Sequence, residues 1–197
     1  MSEQTMRSRL VLRCKDLDMK PIENKVAKGT PDVNYIEGWL ELKWLRGWPV
    51  KGGVVDINHY SNHQRLWLKR RWERGGRAFL VLQVKKEWLV FCGCDALPVG
   101  TLTRDELVSI AIEHYQRDLN VQDFKDLITL DQGQMNEIRM AKGICNSPLV
   151  KNFSLNAVGA AKRSTRRQRE SESRTTSTSI GSEDTPSQDL WWLGLEG

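Results

Sequence analysis

Two carboxylates and a lysine lie close together near the start of the chain, at Asp32, Glu41 and Lys43. If Glu37-Gly38 is the two-residue loop of a β-hairpin, Asp32 faces Lys43, and Glu41 lies one step along the partner strand. The carboxylates are then about 7–8 Å apart at Cβ, a gap that a cation with metal–oxygen bonds of about 2.1 Å can bridge. Mg²⁺ suits this arrangement because an ion held by one or two carboxylates keeps open positions for water and phosphate oxygens. The spacing therefore predicts a metal site for phosphodiester chemistry, with Lys43 beside it to orient the water or neutralise charge on phosphorus.

The two predicted strands, Val33–Ile36 and Trp39–Trp44, alternate polar and apolar residues. Asn34 faces Glu41 in the predicted register and joins the three charged residues on one face. The other face is apolar and predicts a core: Val33, Tyr35, Leu40 and Leu42. The alternative interpretation of Asp32 and Lys43 is a cross-strand ion pair on a solvated surface, worth under about 1 kcal/mol and without functional meaning.

Helices and further strands follow the hairpin. Ser61 and Gln64 form a capping-box pattern that opens a helix, and Gly75-Gly76 closes it. Thr103 and Glu106 form a second capping box, ahead of a predicted helix over Leu107–Tyr115. The remaining predicted elements are strands over 78–84 and 88–92 and helices over 121–128 and 134–142. This order indicates a mixed α/β domain.

The pairing of Pro31-Asp32 with Glu41-Leu42-Lys43 resembles the PD-(D/E)XK nuclease superfamily, in which a Pro-Asp at one strand start precedes a Glu-x-Lys on the next strand. The stretch from about Ile22 to Leu82, which adds Gly29-Thr30 and a Gln-bearing helix followed by Gly-Gly-Arg-Ala, resembles the phage-type and VRR-NUC branch, near the Holliday-junction resolvases. The resemblance implies a restriction-endonuclease-like core, with a mixed central sheet flanked by helices.

The resemblance also implies roles for individual residues. Asp32 and Glu41 would be metal ligands, with Mn²⁺ able to replace Mg²⁺, and Lys43 would be catalytic. Leu42 would offer its backbone carbonyl to the metal. Gln64 lies where the family often places a glutamine facing the site, and its position in the capping box explains it equally well.

The family usually adds an upstream acid, often on the first helix. Glu3 and Glu23 both qualify, and Glu23 is the nearer in sequence to the site. Basic residues flank the site and predict contacts to DNA phosphates, although charge runs are commonly solvated helix faces. They are Lys25, Lys28, Lys51, Lys69, Arg70, Arg71, Arg74 and Arg77.

Composition divides the 197 residues into a folded part and a tail. Residues 1–100 are assigned to the nuclease core, 101–160 to a helical extension of the same domain and 161–197 to a disordered tail. The tail contains six basic and six acidic residues, so the whole net charge of +5 resides in the folded part, which favours a polyanionic partner. Trp191 and Trp192 near its end indicate either a docking peptide for a partner protein or a segment that folds back.

No apolar run approaches the roughly 18 residues needed to cross a bilayer, which predicts no membrane association and a cytoplasmic location, in a bacterium or a phage-infected host cell. The four cysteines have neither zinc-site nor disulfide spacing. The expected function is a magnesium-dependent DNA endonuclease that is selective for Holliday junctions or other branched DNA. By analogy with resolvases, which cut two equivalent strands, we expect a homodimer. The alternatives are a nicking or restriction-type nuclease on duplex DNA, and a non-catalytic nucleic-acid-binding adaptor on a nuclease fold.

Overall fold

The computed structural model describes residues 2–23 and 29–153. These residues form a six-stranded mixed sheet flanked by helices, as expected from the sequence. Lys25 and Lys28 lie outside the described residues, and so do the predicted tail and its Trp191 and Trp192. The helices are α1 (Glu3–Arg13), α2 (Asn62–Glu73), α3 (Arg104–Ile110), α4 (Val121–Thr129), α5 (Gln132–Ala141) and α6 (Pro148–Lys151), with short 3₁₀ turns at Lys15–Leu17 and Ile144–Asn146. The strands are β1 (Lys20–Pro21), β2 (Val33–Tyr35), β3 (Gly38–Leu45), β4 (Arg77–Val84), β5 (Glu87–Cys92) and β6 (Glu113–Tyr115).

The strands lie in the order in which they occur in the chain, from β1 to β6. Strands β3 and β4 are parallel, and every other neighbouring pair is antiparallel. Consecutive parallel strands need a crossover connection, and α2 is the helix of that crossover. The topology therefore places α2 over β4, next to the strand β3 that carries Glu41 and Lys43.

The predicted apolar face of the hairpin is buried in the core, where Val33, Tyr35, Leu40 and Leu42 are all at most 1% exposed. The Tyr35 hydroxyl donates a hydrogen bond to the Ile128 carbonyl at 2.8 Å and so ties β2 to α4. Strands β4 and β5 are apolar along nearly their whole length because they lie in the middle of the sheet and are covered on both faces.

Helix α3 is shorter than predicted. It begins with the expected capping box but ends at Ile110, and Glu113–Tyr115, which was predicted to be helical, is strand β6. Ala111 is extended, and the Ile112 N–H donates to the Val90 carbonyl at 2.8 Å. Pairing with β5 satisfies the free edge of that strand, and this overrides the local helix propensity. The segment predicted as a helical extension therefore also completes the sheet.

The described part of the chain contains no helix that is both long enough and apolar enough to cross a membrane.

The packing of α2 depends on two glycines that leave no room for a side chain. A Cβ at Gly29 would lie 2.6 Å from the backbone of His63, and one at Gly93 would lie 2.5 Å from the Leu68 carbonyl oxygen. Gly29 also has a positive φ of 86°, which other residues rarely adopt. These close approaches hold the first and middle turns of α2 against the sheet.

We expect Gly93→Ala to lower the free energy of unfolding by about 1–3 kcal/mol, because the new methyl group pushes α2 off the sheet. The matched control is Gly53→Ala, since no atom lies within 4 Å of its added Cβ. The control is expected to change the free energy by less than about 0.5 kcal/mol in urea denaturation. Equal effects of the two substitutions would contradict this view of how α2 is positioned.

Candidate active site

The hairpin register differs from the predicted one by two residues. Val33 pairs with Leu40 and Tyr35 with Gly38, so the turn is formed by Ile36 and Glu37 rather than by Glu37-Gly38. Gly38 is the first residue of β3, and a Cβ there would lie 2.7 Å from the Arg77 carbonyl oxygen and from the Tyr35 hydroxyl. The glycine is required by packing between strands and not by the turn.

In the observed register Asp32, which directly precedes β2, lies opposite Glu41 instead of opposite Lys43. A shift of two residues leaves every side chain on its predicted face, because side chains alternate with a period of two. The predicted polar face of Asp32, Asn34, Glu41 and Lys43 is therefore preserved. The two carboxylates are closer to direct opposition than the sequence predicted.

Glu41 and Lys43 form a buried ion pair. Glu41 is 0% and Lys43 is 2% exposed, and the Lys43 Nζ lies 2.6 Å from Glu41 Oε1. The interpretation of this face as a solvated surface pair between Asp32 and Lys43 is therefore wrong: Lys43 pairs with Glu41, and the pair is shielded from water.

Gln64 joins the site through α2 and also caps that helix. Its Oε1 accepts a hydrogen bond from the Ser61 N–H at 2.8 Å, which completes the capping box. Its Nε2 donates to Glu41 Oε1 at 2.5 Å. The two ends of one amide group therefore cap α2 and contact Glu41 at the same time, and a catalytic role for Gln64 stays a prediction.

The Asp32 carboxylate is held against the backbone of β3. Its Oδ2 accepts a hydrogen bond from the Leu42 N–H at 2.9 Å. The N–H and C=O of one strand residue point toward the same neighbour, so the Leu42 carbonyl is directed to the side where Asp32 lies. Pro31 would face Leu42 if the ladder continued, and proline has no N–H to donate. The use of the Leu42 carbonyl as a ligand stays a prediction.

Of the two upstream acids, Glu3 is the one that reaches the site. Its Oε1 lies 3.5 Å from the Lys43 Nζ. Glu23, which the sequence favoured because of its proximity along the chain, lies 3.9 Å from Arg7, and its side chain is 77% exposed. Glu3 is the first residue of α1, and this helix approaches Lys43 where β3 extends beyond the start of β2.

Charge is unbalanced in the site. Burial raises the pKa of Glu41 to about 8, and the negative charge of Asp32 adds to this effect, while Lys43 opposes it. Burial lowers the pKa of Lys43, but Glu41 and Glu3 outweigh burial, so its pKa is raised overall and the ammonium group stays charged. Three carboxyl groups lie around a single ammonium group, so a divalent cation bound among them would favour the charged form of Glu41 and oppose the rise in its pKa.

The residues present fit such a cation. Glu41 Oε1 accepts from both Lys43 and Gln64, whereas the buried Glu41 Oε2 has no hydrogen-bond partner among the described residues. Buried polar atoms are nearly always partnered, so an orphan carboxylate oxygen beside Asp32 is well suited to ligate a metal. Within residues 2–23 and 29–153, no group of three or more His, Cys, Asp or Glu side chains is placed to hold one ion. The candidate ligands are therefore Asp32, Glu41 and the Leu42 carbonyl, a set that suits Mg²⁺ with several retained waters.

Predicted DNA-binding residues occupy three places. Arg70, Arg71 and Arg74 line a cavity of about 600 Å³ together with His63, Leu66 and Trp67. On the same helix, Lys69 forms an i,i+4 ion pair with Glu73 at 2.6 Å. Lys51 is exposed in the loop after β3, and Arg77 begins β4.

One basic residue of α2, Arg65, has a structural role that sequence reasoning missed. It is fully buried, and its guanidinium donates hydrogen bonds to the Leu97 and Val99 carbonyls. The signal was present, because Arg65, Leu68 and Trp72 have the i, i+3, i+7 spacing of one buried helix face. Arg65 thus anchors α2 to the segment that follows β5.

Comparison of the sequence with protein-family models and with curated proteins finds no match.

We expect Gln64→Glu to lower the free energy of unfolding, measured without divalent metal, by about 1–3 kcal/mol. Glutamate preserves the capping box but replaces the donor to Glu41 with a second carboxylate. Gln134→Glu is the matched control, since Gln134 occupies the same position of the capping box that opens α5. If both substitutions have equal effects, Gln64 acts only as a cap.

Proposed function

We propose that the protein is a magnesium-dependent DNA endonuclease. The observation that carries this proposal is the buried Glu41 carboxylate, which lies opposite Asp32 in the hairpin. One of its oxygens is held by Lys43 and Gln64, and the other has no hydrogen-bond partner among the described residues. The resemblance of Pro31-Asp32 and Glu41-Leu42-Lys43 to the PD-(D/E)XK motif supports the same function.

Stability does not account for this arrangement. Desolvating two charges costs several kcal/mol, and an apolar pair of similar volume is often as stable or more stable. A buried Glu–Lys pair with a second acid and a perturbed carboxyl pKa is more typical of a functional site.

Each residue has a defined task in the proposed reaction. Asp32, Glu41 and the Leu42 carbonyl would hold Mg²⁺, with Mn²⁺ as a substitute, and Gln64 orients the Glu41 carboxylate. The bound ion would supply Lewis acidity toward the phosphate and lower the pKa of the attacking water. Lys43 keeps its positive charge and stabilises negative charge that develops on the phosphate. The water oxygen bonds to phosphorus as one P–O bond to a sugar oxygen breaks, and that oxygen leaves with a proton.

The resemblance to Holliday-junction resolvases suggests selectivity for branched DNA and a homodimer that cuts two equivalent strands. Nicking or restriction-type cleavage of ordinary duplex is the alternative within the same class. The exposed arginines of α2 favour nucleic-acid binding whether or not the site is catalytic, so an adaptor that binds DNA without cutting it is the second candidate. A protein partner for Trp191 and Trp192 and a cytoplasmic location complete the proposal.

We expect the protein to cleave end-labelled DNA with Mg²⁺ or Mn²⁺ but not with EDTA, and a four-way junction or flap faster than linear duplex. Loss of an outer partner of a metal ligand costs about 10–100-fold, so Asp32→Asn, which loses a ligand, should lower the rate by about 100-fold or more. Asparagine can still accept the hydrogen bond from Leu42, so the fold and the DNA affinity should persist.

Asp105→Asn is the matched control, because its side chain is 94% exposed. Cleavage that persists in EDTA or in Asp32→Asn would overturn the proposed metal site. DNA binding by pure wild-type protein without cleavage of any of these substrates would favour the adaptor.

A further inference from the structure

Two tryptophans form a contact between β3 and α2. The rings of Trp39 and Trp67 lie 5.3 Å apart at their centroids, with an interplanar angle of 64°. In such an edge-to-face pair, one ring makes contact through its edge, which leaves its faces available to other groups. Both residues are only partly buried, so the pair is accessible from solvent.

The Trp39–Trp67 pair lies immediately beside the candidate active site. Trp39 is two residues before Glu41 on β3 and therefore lies on the same face. Trp67 is three residues after Gln64 on α2 and therefore lies on the same side of that helix. Gln64 of α2 is hydrogen-bonded to Glu41 of β3. Trp67 and Trp39 are the neighbouring residues on the same faces of α2 and β3, so their contact lies next to this hydrogen bond.

A row of cations continues from Trp67 along α2. Residues 63, 67, 70, 71 and 74 follow helical spacing and line the cavity of about 600 Å³. Among the described residues, no carboxylate lies within 4 Å of Arg70, Arg71 or Arg74, in contrast to the Lys69–Glu73 pair. This arginine row is therefore available for phosphates.

We propose that the Trp39–Trp67 pair and the arginine row bind an unpaired stretch of DNA, with one base stacked on the tryptophans next to the scissile phosphate. The proposal rests on the proposed nuclease function and specifies its substrate. A positively charged groove combined with aromatic side chains is the arrangement that binds single strands without sequence preference.

Unpaired DNA is favoured over duplex for a physical reason. A base within a continuous duplex has both faces covered by its neighbours, so it must unstack before it can contact a tryptophan, and unstacking costs a few kcal/mol. A flap, a gap or a branch point offers unstacked bases without that cost. The Trp39–Trp67 pair would therefore select DNA with unpaired nucleotides at the site of cleavage.

The test measures binding of fluorescein-labelled DNA by anisotropy in EDTA, so that it does not depend on metal or cleavage. The probes are a 20-nucleotide single strand, a flap and a blunt duplex. Stacking of one base is worth about 1–3 kcal/mol, so we expect Trp67→Leu to weaken single-strand and flap binding about 5- to 150-fold, with little effect on the duplex. Trp67→Phe, which keeps an aromatic face, should restore most of the affinity.

Arg70→Gln should reduce the salt dependence of single-strand binding by about 0.7 in the slope of log K against log salt. The matched control is Trp44→Leu, because Trp44 is also partly buried on β3 but lies on the opposite face. Thermal unfolding of each variant shows whether the fold is kept.

Unchanged single-strand binding in folded Trp67→Leu, or equal losses in Trp44→Leu and for the duplex, would overturn the proposal. If this occurs while Asp32→Asn still abolishes cleavage, the nuclease function stands without this subsite. Selective loss in Trp67→Leu by a protein that cuts none of the probes would support the single-strand site and overturn the nuclease function.

Discussion

A carboxylate with no access to water is the constraint on which the rest of the structure depends. Glu41 lies in the middle of β3, where burial raises its pKa to about 8, and a buried carboxyl group needs polar partners that are themselves held in place. Lys43 comes from the same strand, and Gln64 comes from α2, so the helix must sit at a defined height above the sheet. The absence of side chains at Gly29 and Gly93 allows the helix to reach that height. The packing of α2, its capping box and the geometry of the site therefore all serve to place Gln64 beside Glu41.

Helix α2 carries side chains that serve three purposes. Arg65 turns inward and donates to backbone carbonyls of the segment after β5, which fixes the helix to the sheet. Gln64 points to Glu41. The arginines and Trp67 face the cavity along the outer side. A helix that is buried on one side and cationic on the other can position a reactive group while it presents charge to a polyanion, since successive side chains point about 100° apart around the helix axis.

The site forms where regular strand pairing stops. Strand β2 begins at Val33, so the Leu42 N–H is satisfied by the Asp32 side chain rather than by a strand partner. Pro31, which would face Leu42 if the ladder continued, has no N–H to donate to the Leu42 carbonyl. Glu3 from α1 reaches the Lys43 ammonium group in the same part of β3. Irregular backbone at this edge thus brings together acidic groups and an oriented carbonyl that a continuous ladder would keep apart.

Polar and apolar residues alternate along the hairpin, and this pattern depends only on neighbours in the chain. From it, the sequence alone determined that Asp32, Glu41 and Lys43 share a face and that the opposite face is core. The capping boxes of α2 and α3 and the mixed α/β class were predictable for the same reason, because they depend on neighbours along the chain. The register was not, since a shift of two residues preserves the alternation, and the packing of Gly38 against Arg77 of β4 is a contact that the hairpin sequence does not contain. Strand β6 and the choice of Glu3 over Glu23 were likewise decided by the tertiary structure, because both depend on contacts between segments that are distant in the chain.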